Sequence, residues 1–464
     1  MRLTSKLLAA FALLLCVGAQ TLADEVDRRI EAQMRKRHVP GLSLAVLRGG
    51  KIIKARGYGF ANLELQVAAT PETVFEVGSL TKQFTAAAVM LLVEEGKVSL
   101  DDPAGKHLAG LPDVWGGVTV RHLLTHTSGI KTYVGTTGFE LSRRLSGDEF
   151  IKAAGALPLL FEPGTSWDYS NTNFNLLGHL VERVSGQPFW QFLEERIFRP
   201  LGMSATRYND HRKIVPLRAD GYFFREGGWT KRDPPLWDVG AAGALLSTAH
   251  DLAKWAAALE AGKVLKPSSL EQMWTPVRVS GGASYPYGFG WSVETFRGHR
   301  LLSHGGLMAG FSAYVARYPE ERLTVVVLCN LANLREFPPA GRIGIAVASA
   351  FLPSLALDTL KEITDAEPRT TSTLRGALAG FLEGEPDASH FTPPTFQFLT
   401  SERGKALRAE LAAHGPLNSF ALLERKETGA ERTYLYRATL GRDKVYLSFT
   451  LAGGKIAGMR LEEE

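Results

Sequence analysis

Ser79-Leu80-Thr81-Lys82, with Gly78 directly before it, sets a hydroxyl and an amine three residues apart. On a helix such residues share a face, so the Lys82 amine comes within reach of the Ser79 oxygen. A serine hydroxyl is a weak nucleophile at neutral pH and needs an adjacent base to take its proton. The spacing therefore predicts a serine hydrolase whose base is not a histidine. A tetrad this short carries little by itself, and its surroundings decide its meaning. Thr85–Val93 is largely apolar, Glu94 and Glu95 interrupt the run, and Gly96 suits a helix C-terminal cap. A helix apolar on most of its sides is a buried one, and a buried helix is a rigid mount for a nucleophile.

Working outward, apolar Leu42–Leu47, the turn pair Gly49-Gly50 and Lys51–Tyr58 predict a β-hairpin. From about Leu100 to Leu270 the chain reads as mainly helical with long loops. Asn173–Val184 is one predicted helix. Thr248-Ala249-His250-Asp251 opens another through Leu252–Leu259, with a start resembling a capping box. Arg300–His304, Phe311–Arg317 and Arg322–Cys329 are predicted strands, and Gly341–Leu352 is a helix able to cover their sheet. Strands at both ends of a helical middle predict one α+β domain whose sheet pairs the two ends. A polar stretch at Asp365–Thr373 marks a linker. Beyond it, a helix at Glu402–Ala413 and strands at Leu417–Leu423, Arg432–Ala438, Lys444–Leu451 and Ile456–Leu461 predict a small α+β domain. The division expected is a signal segment at 1–23, a main domain at 24–355, a linker at 356–374 and an accessory domain at 375–464.

The chain has 464 residues, of which 45% are hydrophobic and 22% charged, an ordinary globular composition. Net charge is +5 and falls to +3 if Arg2 and Lys6 leave with the first 23 residues. So mild an excess does not point to nucleic acid. Arg2 and Lys6 precede the apolar run Leu7–Gly18, which is too short to span a bilayer, and small residues allow cleavage after Ala19 or Ala23. This predicts export to a periplasm or the medium. A lipid anchor at Cys16 is disfavoured because Leu15 stands where a small residue is needed. Without Cys16, Cys329 is the one remaining thiol and no intrachain disulfide can form; at the end of an apolar run it reads as a core residue. His122 and His126 have i, i+4 spacing, but Leu123 occupies the place of a zinc protease's glutamate, so no metal site is expected.

Two further motifs complete a constellation. Tyr169-Ser170-Asn171 precedes a predicted helix after the turn Pro163-Gly164, and His304-Gly305-Gly306 ends a predicted strand. In this order, with the surrounding text EVGSLTKQFTAAAVMLLVEEGKVSLDDP (76–103), VRHLLTHTSGI (120–130), FEPGTSWDYSNTNFNLLGHLVERVSGQPF (161–189), GAAGALLSTAHDLAKW (240–255) and SHGGLMAGFSA (303–313), the chain resembles the serine β-lactamase and penicillin-binding protein superfamily. The resemblance is to its class C-like branch, which also holds DD-peptidases, D-aminopeptidases and carboxylesterases. It covers roughly residues 25 to 355 and implies a β-lactamase/transpeptidase-like fold, an antiparallel sheet with flanking helices plus a helical subdomain. It implies that Ser79 is acylated, with Lys82 or Tyr169 as its base and Asn171 bonding substrate or Lys82. The backbone N–H groups of Ser79 and Leu307 would form the oxyanion hole, and Gly305 and Gly306 would let substrate approach closely. No metal or organic cofactor is implied. Mutual proximity to a charged Lys82 favours a Tyr169 phenolate. His126 has no nucleophile in register and reads as structural.

One departure bears on substrate. Relatives that bind penicillins or cell-wall peptides carry lysine where this chain has His304. A histidine is mostly neutral at pH 7, so recognition of a substrate carboxylate should weaken unless Arg297 or Arg300 substitutes. The expectation is a hydrolase of small esters, or of D-amino-acid amides and peptides, with weak or no β-lactamase activity. The alternatives are a β-lactamase or DD-carboxypeptidase, and a catalytically silent protein that binds peptidoglycan or a partner. The sequence leaves oligomeric state open. The exported protein is expected to begin at Gln20 or Asp24 by N-terminal sequencing; a mature chain that retains Met1 would contradict the signal segment.

Overall fold

The computed structural model describes residues 25–136, 139, 145–232, 238–332, 338–429 and 431–462. The signal segment and Cys16 lie outside them. The chain divides into two compact units, Met1–Gly282 with Pro286–Phe351, and Ala283–Tyr285 with Leu352–Glu464.

The first unit is organised on a 7-stranded antiparallel sheet. Its strands are β1 (Gly41–Arg48), β2 (Lys51–Asn62), β3 (Val67–Ala68), β4 (Ser292–Phe296), β5 (His299–Met308), β6 (Phe311–Tyr318) and β7 (Leu323–Cys329), in the spatial order β4-β5-β6-β7-β1-β2-β3. Gly49 and Gly50 both have positive φ, 59° and 71°, which a two-residue hairpin turn requires. The ends of the unit meet where β1 pairs β7, with Leu44 opposite Val327 and Val46 opposite Val325. Both strands are buried almost throughout, so they read as continuous apolar runs without alternation.

The main helices of this unit are α1 (Thr81–Glu94), α2 (Val120–Thr125), α3 (Gly147–Gly155), α4 (Asn171–Ser185), α5 (Ala249–Glu260) and α6 (Pro339–Phe351). One face of the sheet, with Ala45, Leu47, Ala313, Val315, Val326 and Leu328, joins the core that also contains α1, α4 and α5. Tyr314 points to the other face and meets Gly344 of α6, where an added Cβ would lie 2.6 Å from its ring. From Thr73 to Met90 every residue is buried except Ser79. The sequence reading of a central, all-round apolar helix is realised in α1.

Three residues before Ser79 stands Glu76, a buried carboxylate. Arg232 grips it with both terminal nitrogens, at 2.5 and 2.9 Å, and Arg218 adds a bond of 3.0 Å. Burial pushes the Glu76 pKa up, but the two guanidiniums outweigh that and hold it below the usual carboxylate range.

In the second unit, α7 (Pro368–Glu383), α8 (Pro393–Thr400) and α9 (Glu402–Ala412) precede a four-stranded antiparallel meander. Its strands are β8 (Leu417–Thr428), β9 (Glu431–Leu440), β10 (Asp443–Ala452) and β11 (Lys455–Glu462). The helices and sheet share a core of Leu374, Leu378, Phe381, Tyr436, Leu447 and Phe449, among others. The stretch read as a linker is more ordered than its composition suggests. Leu357 is buried with Leu423 and Leu435, and α7 begins at Pro368, inside that stretch. Proline is well tolerated in the first turn of a helix, and Leu374, Ala377, Leu378 and Phe381 give α7 the i, i+3, i+4, i+7 stripe that packing rewards.

Replacing Glu76 by Ala leaves Arg232 and Arg218 without their shared anion in a mostly dry setting. A loss of about 3 kcal/mol in unfolding free energy is expected, measured by urea titration; a loss below about 0.5 kcal/mol would refute the anchoring role.

Candidate active site

The sequence puts Ser79 at the very start of a helix. A short 3-10 turn, Gly78–Leu80, runs directly into α1. The first N–H groups of a helix lack intrahelical partners and carry the positive end of its dipole, so the Ser79 N–H sits in a natural anion-binding position. Gly78 has φ 52° and lies against β5: a Cβ there would be 2.7 Å from the Leu307 nitrogen. This close approach brings the Leu307 backbone beside the nucleophile, as the oxyanion-hole expectation requires.

Lys82 lies one turn on, with no exposed surface. Its Nζ is 3.2 Å from Ser79 Oγ, 2.7 Å from Asn171 Oδ1 and 2.8 Å from the Ala242 carbonyl oxygen. All three neighbours are neutral. Burial therefore acts without a compensating anion and drives the Lys82 pKa well below that of a free lysine. Tyr169 is half-buried and shares a side-chain hydrogen bond with Ser79. Burial raises its pKa and the Ser79 bond only moderates the rise, so the phenol stays protonated. This revises the balance anticipated from proximity alone, which favoured a phenolate; desolvation penalises both charged forms at once. The Lys82 nitrogen also lies over the Tyr169 ring, 4.8 Å from its centroid.

Asn171 opens α4, directly after Tyr169 and Ser170, so one chain segment delivers both the phenol and the acceptor of Lys82. His304, Gly305 and Gly306 come from β5. The two glycines differ. Gly305 is exposed, with no neighbour closer than 3.9 Å to an added Cβ, and leaves the strand edge open to a ligand. A Cβ on Gly306 would fall 1.9 Å from the Val77 carbonyl oxygen, so that glycine is needed to seat β5 against the nucleophile's segment.

His304 is buried and its two nitrogens are both engaged. Nδ1 donates to the Gly305 carbonyl oxygen at 2.6 Å, which leaves Nε2 to accept from the Tyr287 hydroxyl at 2.9 Å. Burial lowers its pKa to about 3. Arg300 is four residues away along β5, about 13 Å at strand spacing, and donates to the Trp274 carbonyl oxygen. Arg297 sits in the turn before β5 with φ 49°, stacked over Phe296. Neither cation takes the place of the missing lysine beside Ser79.

Tyr287 and the Ala242 carbonyl are site features that the sequence reading missed. A local signal exists for the first: in Tyr287-Gly288-Phe289-Gly290-Trp291 a Cβ on Gly290 would lie 2.7 Å from the Lys82 carbonyl oxygen, so this aromatic–glycine alternation is a loop pressed onto α1. His122 and His126 do not form a pair. The His122 ring closes a capping box with Thr119, while His126 ends α2 and faces a cluster of aromatic rings. Cys329 is buried in β7, as read.

With this geometry in place, the comparisons with known proteins agree. The family model described as Beta-lactamase matches residues 26–349. Penicillin-binding protein 4* of Bacillus subtilis (strain 168) is 31% identical over 312 residues, 63% of this chain and 68% of that protein. The chain spans about two thirds of the length of the curated relatives it matches. The octameric penicillin-binding protein homologue from Pyrococcus abyssi superposes with a TM-score of 0.63 at 25% identity, covering 95% of this chain and 98% of that one, so the likeness extends into the second unit. D-amino acid amidase from Ochrobactrum anthropi SV3 gives a TM-score of 0.63 at 26% identity over 72% of this chain and 100% of that one.

The engaged, neutral His304 has a consequence for stability. Its pKa falls from 6.5 when unfolded to about 3 when folded. Below pH 6.5 the unfolded chain therefore binds a proton that the folded one refuses, and stability is lost as pH falls toward 3 at up to about 1.4 kcal/mol per pH unit. Replacing His304 by Gln should flatten the pH dependence of unfolding free energy between pH 6 and 4 by about that slope; unchanged urea curves across that window would show that His304 is not the group responsible.

Proposed function

The chain belongs to the beta-lactamase family of serine hydrolases, and from that membership we propose that it is an exported hydrolase that cleaves small esters or D-amino-acid amides and peptides through an acyl-enzyme on Ser79. One observation carries the proposal: the Ser79 oxygen is shared between a desolvated lysine amine and a buried tyrosine hydroxyl.

A neutral Lys82 amine has two N–H donors and one lone pair. Asn171 Oδ1 and the Ala242 carbonyl oxygen can accept only, so they take the two donors and turn the lone pair toward Ser79. Lys82 is thereby poised as the base. In the forward step Ser79 Oγ bonds the carbonyl carbon and its proton passes to Lys82. The oxyanion that forms is received by the N–H groups of Ser79 and Leu307. The bond to the leaving group then breaks, and the proton on Lys82 reaches that group through the Tyr169 hydroxyl. Water reverses the sequence on the acyl-enzyme: it attacks the carbonyl carbon and its proton passes to Lys82 by the same route, the bond from that carbon to Ser79 Oγ breaks, and Lys82 returns the proton to Oγ as the acid leaves. The amide nitrogen of Asn171 and the open edge at Gly305 would orient the substrate.

The substrate class follows from charge. His304 holds no proton to offer a carboxylate, which supports neutral acyl donors over penicillins. The likeness to a D-amino acid amidase supports amides as well as esters. We assign the second unit, residues 352–464, to an accessory domain, and the basic and apolar N-terminus to export.

The test is hydrolysis of p-nitrophenyl butyrate and D-phenylalanine amide beside benzylpenicillin, with the parent and a Ser79→Ala variant. Turnover of ester or amide should exceed that of penicillin, and Ser79→Ala should cost at least about 10⁴-fold in kcat. Faster penicillin turnover would reverse the substrate assignment, and failure of Ser79 to label with a fluorophosphonate would favour the silent-binder alternative.

A further inference from the structure

We propose that His126 is a positioning residue for Tyr169, clamping its backbone on both sides; the inference rests on the acyl-enzyme reading above. His126 has no exposed surface. It terminates α2 in the left-handed conformation, φ 61°, where histidine is among the residues found more often than most. Its carbonyl oxygen accepts the Asp168 N–H at 3.1 Å. Its Nδ1 accepts the Ser170 N–H at 3.2 Å, with the Asn173 amide nitrogen also at 3.4 Å. Asp168 and Ser170 flank Tyr169 in the chain, so one histidine fixes the peptide on each side of the phenol. Its ring packs on the Tyr169 ring at a centroid distance of 4.4 Å, closed in by Tyr287 at 4.8 Å and Phe174 at 5.1 Å.

The proton inventory shows why a histidine stands there. A backbone N–H can only donate, so Nδ1 must be the acceptor and the single ring proton sits on Nε2. That Nε2 is buried and makes no hydrogen bond among the described residues. Leaving a buried donor unmet costs on the order of 1–3 kcal/mol. A residue serving packing alone would not carry that cost, since phenylalanine fills a similar space without it. The acceptor at Nδ1 is what the position requires. The demand comes from leverage: a tilt of about 10° at the Tyr169 backbone moves its phenolic oxygen by about 1 Å, a misplacement that can cost about 10²-fold in rate.

Two substitutions separate the acceptor from the bulk. The Oδ1 of Asn can occupy the place of Nδ1, and Asn accepts positive φ readily; Gln places its oxygen near Nε2 instead. With p-nitrophenyl butyrate, His126→Asn is expected to keep kcat within about 5-fold of the parent, while His126→Gln loses about 10²-fold in kcat with KM changed by less than about 3-fold. In a Tyr169→Phe background the two variants should become equal, because the group being positioned is gone. Equal kcat for Asn and Gln, or a difference that persists without the Tyr169 hydroxyl, would overturn the inference. If His126→Gln fails to fold, His126→Phe, which keeps the bulk and lacks the acceptor, takes its place in a cycle with Tyr169→Phe: non-additive losses support positioning and additive losses refute it. Ser79→Ala in the same assay keeps the two levels apart. Parental turnover in that variant would sink the acyl-enzyme reading itself, whereas an inactive Ser79→Ala with equal Asn and Gln variants would sink only the role of His126.

Discussion

A lysine amine sealed from solvent and surrounded only by neutral acceptors is the constraint on which this site depends. A carboxylate beside Lys82 would hold it as an ammonium and remove its basicity. The chain does bury a carboxylate nearby in sequence, Glu76, but binds it to Arg232 and Arg218. What Lys82 meets instead is a serine oxygen, an amide oxygen and a peptide carbonyl. Desolvation then works in the direction catalysis needs, because it withdraws the proton from the lysine while keeping it on the Tyr169 phenol. Two groups whose solution pKa values nearly coincide are given distinct duties by one environment.

Excluding water from Lys82 requires several segments to meet at sub-side-chain clearance. The loop before β4 presses Gly290 onto the Lys82 carbonyl, Gly306 of β5 sits on the Val77 carbonyl, and Gly178 of α4 leaves 2.4 Å between an added Cβ and Ala241, next to the Ala242 acceptor. These glycines are spent on close approach of one backbone to another. Gly305 alone faces open space, and so it alone is available to substrate. The pair that the sequence presents as one motif thus divides into a packing position and a recognition position, and strand alternation is the reason: adjacent residues face opposite sides.

The fold was legible wherever the signal was local and repetitive. The opening hairpin, the buried helix behind Ser79, the late strands and the terminal meander all carry patterns of apolar runs and turn glycines that one sheet or one core explains. Ser79 and Lys82 are legible from their spacing, whereas Tyr169, Asn171 and His304 sit in motifs commonplace by themselves and are singled out only through the family resemblance. What was not legible depends on long-range contact. The first turns of α7, residues 368–374, fall in the expected linker because Pro368 and its threonines have poor helix propensity, and the helix's stripe is rewarded only by a core made of distant strands. The Ala242 carbonyl has no side-chain signature at all. Tyr287 and His126 are more than 80 residues from some of the groups they touch, and nothing in their immediate sequence states that proximity. The protonation states are not legible for the same reason, since the sequence shows the neighbour that favours a phenolate but not the burial that opposes it.

On the proposed function, specificity follows from where the chain declines to place charge. A cationic side chain at position 304 would attract carboxylates, but it would also lie close enough to Lys82 to depress that amine further. The histidine avoids this by surrendering both nitrogens to uncharged partners, the Gly305 carbonyl and the Tyr287 hydroxyl, which leaves the amine's basicity to desolvation alone. The same choice removes the anchor for an anionic substrate. Binding energy must then come from the oxyanion hole, the open strand edge and apolar contact, terms that favour esters and amides whose charge appears only in the transition state. On that proposal the site selects against carboxylate-bearing substrates by omission, and a lysine at 304 would reverse the Tyr287 bond, its ammonium donating to the hydroxyl that now donates to His304 Nε2.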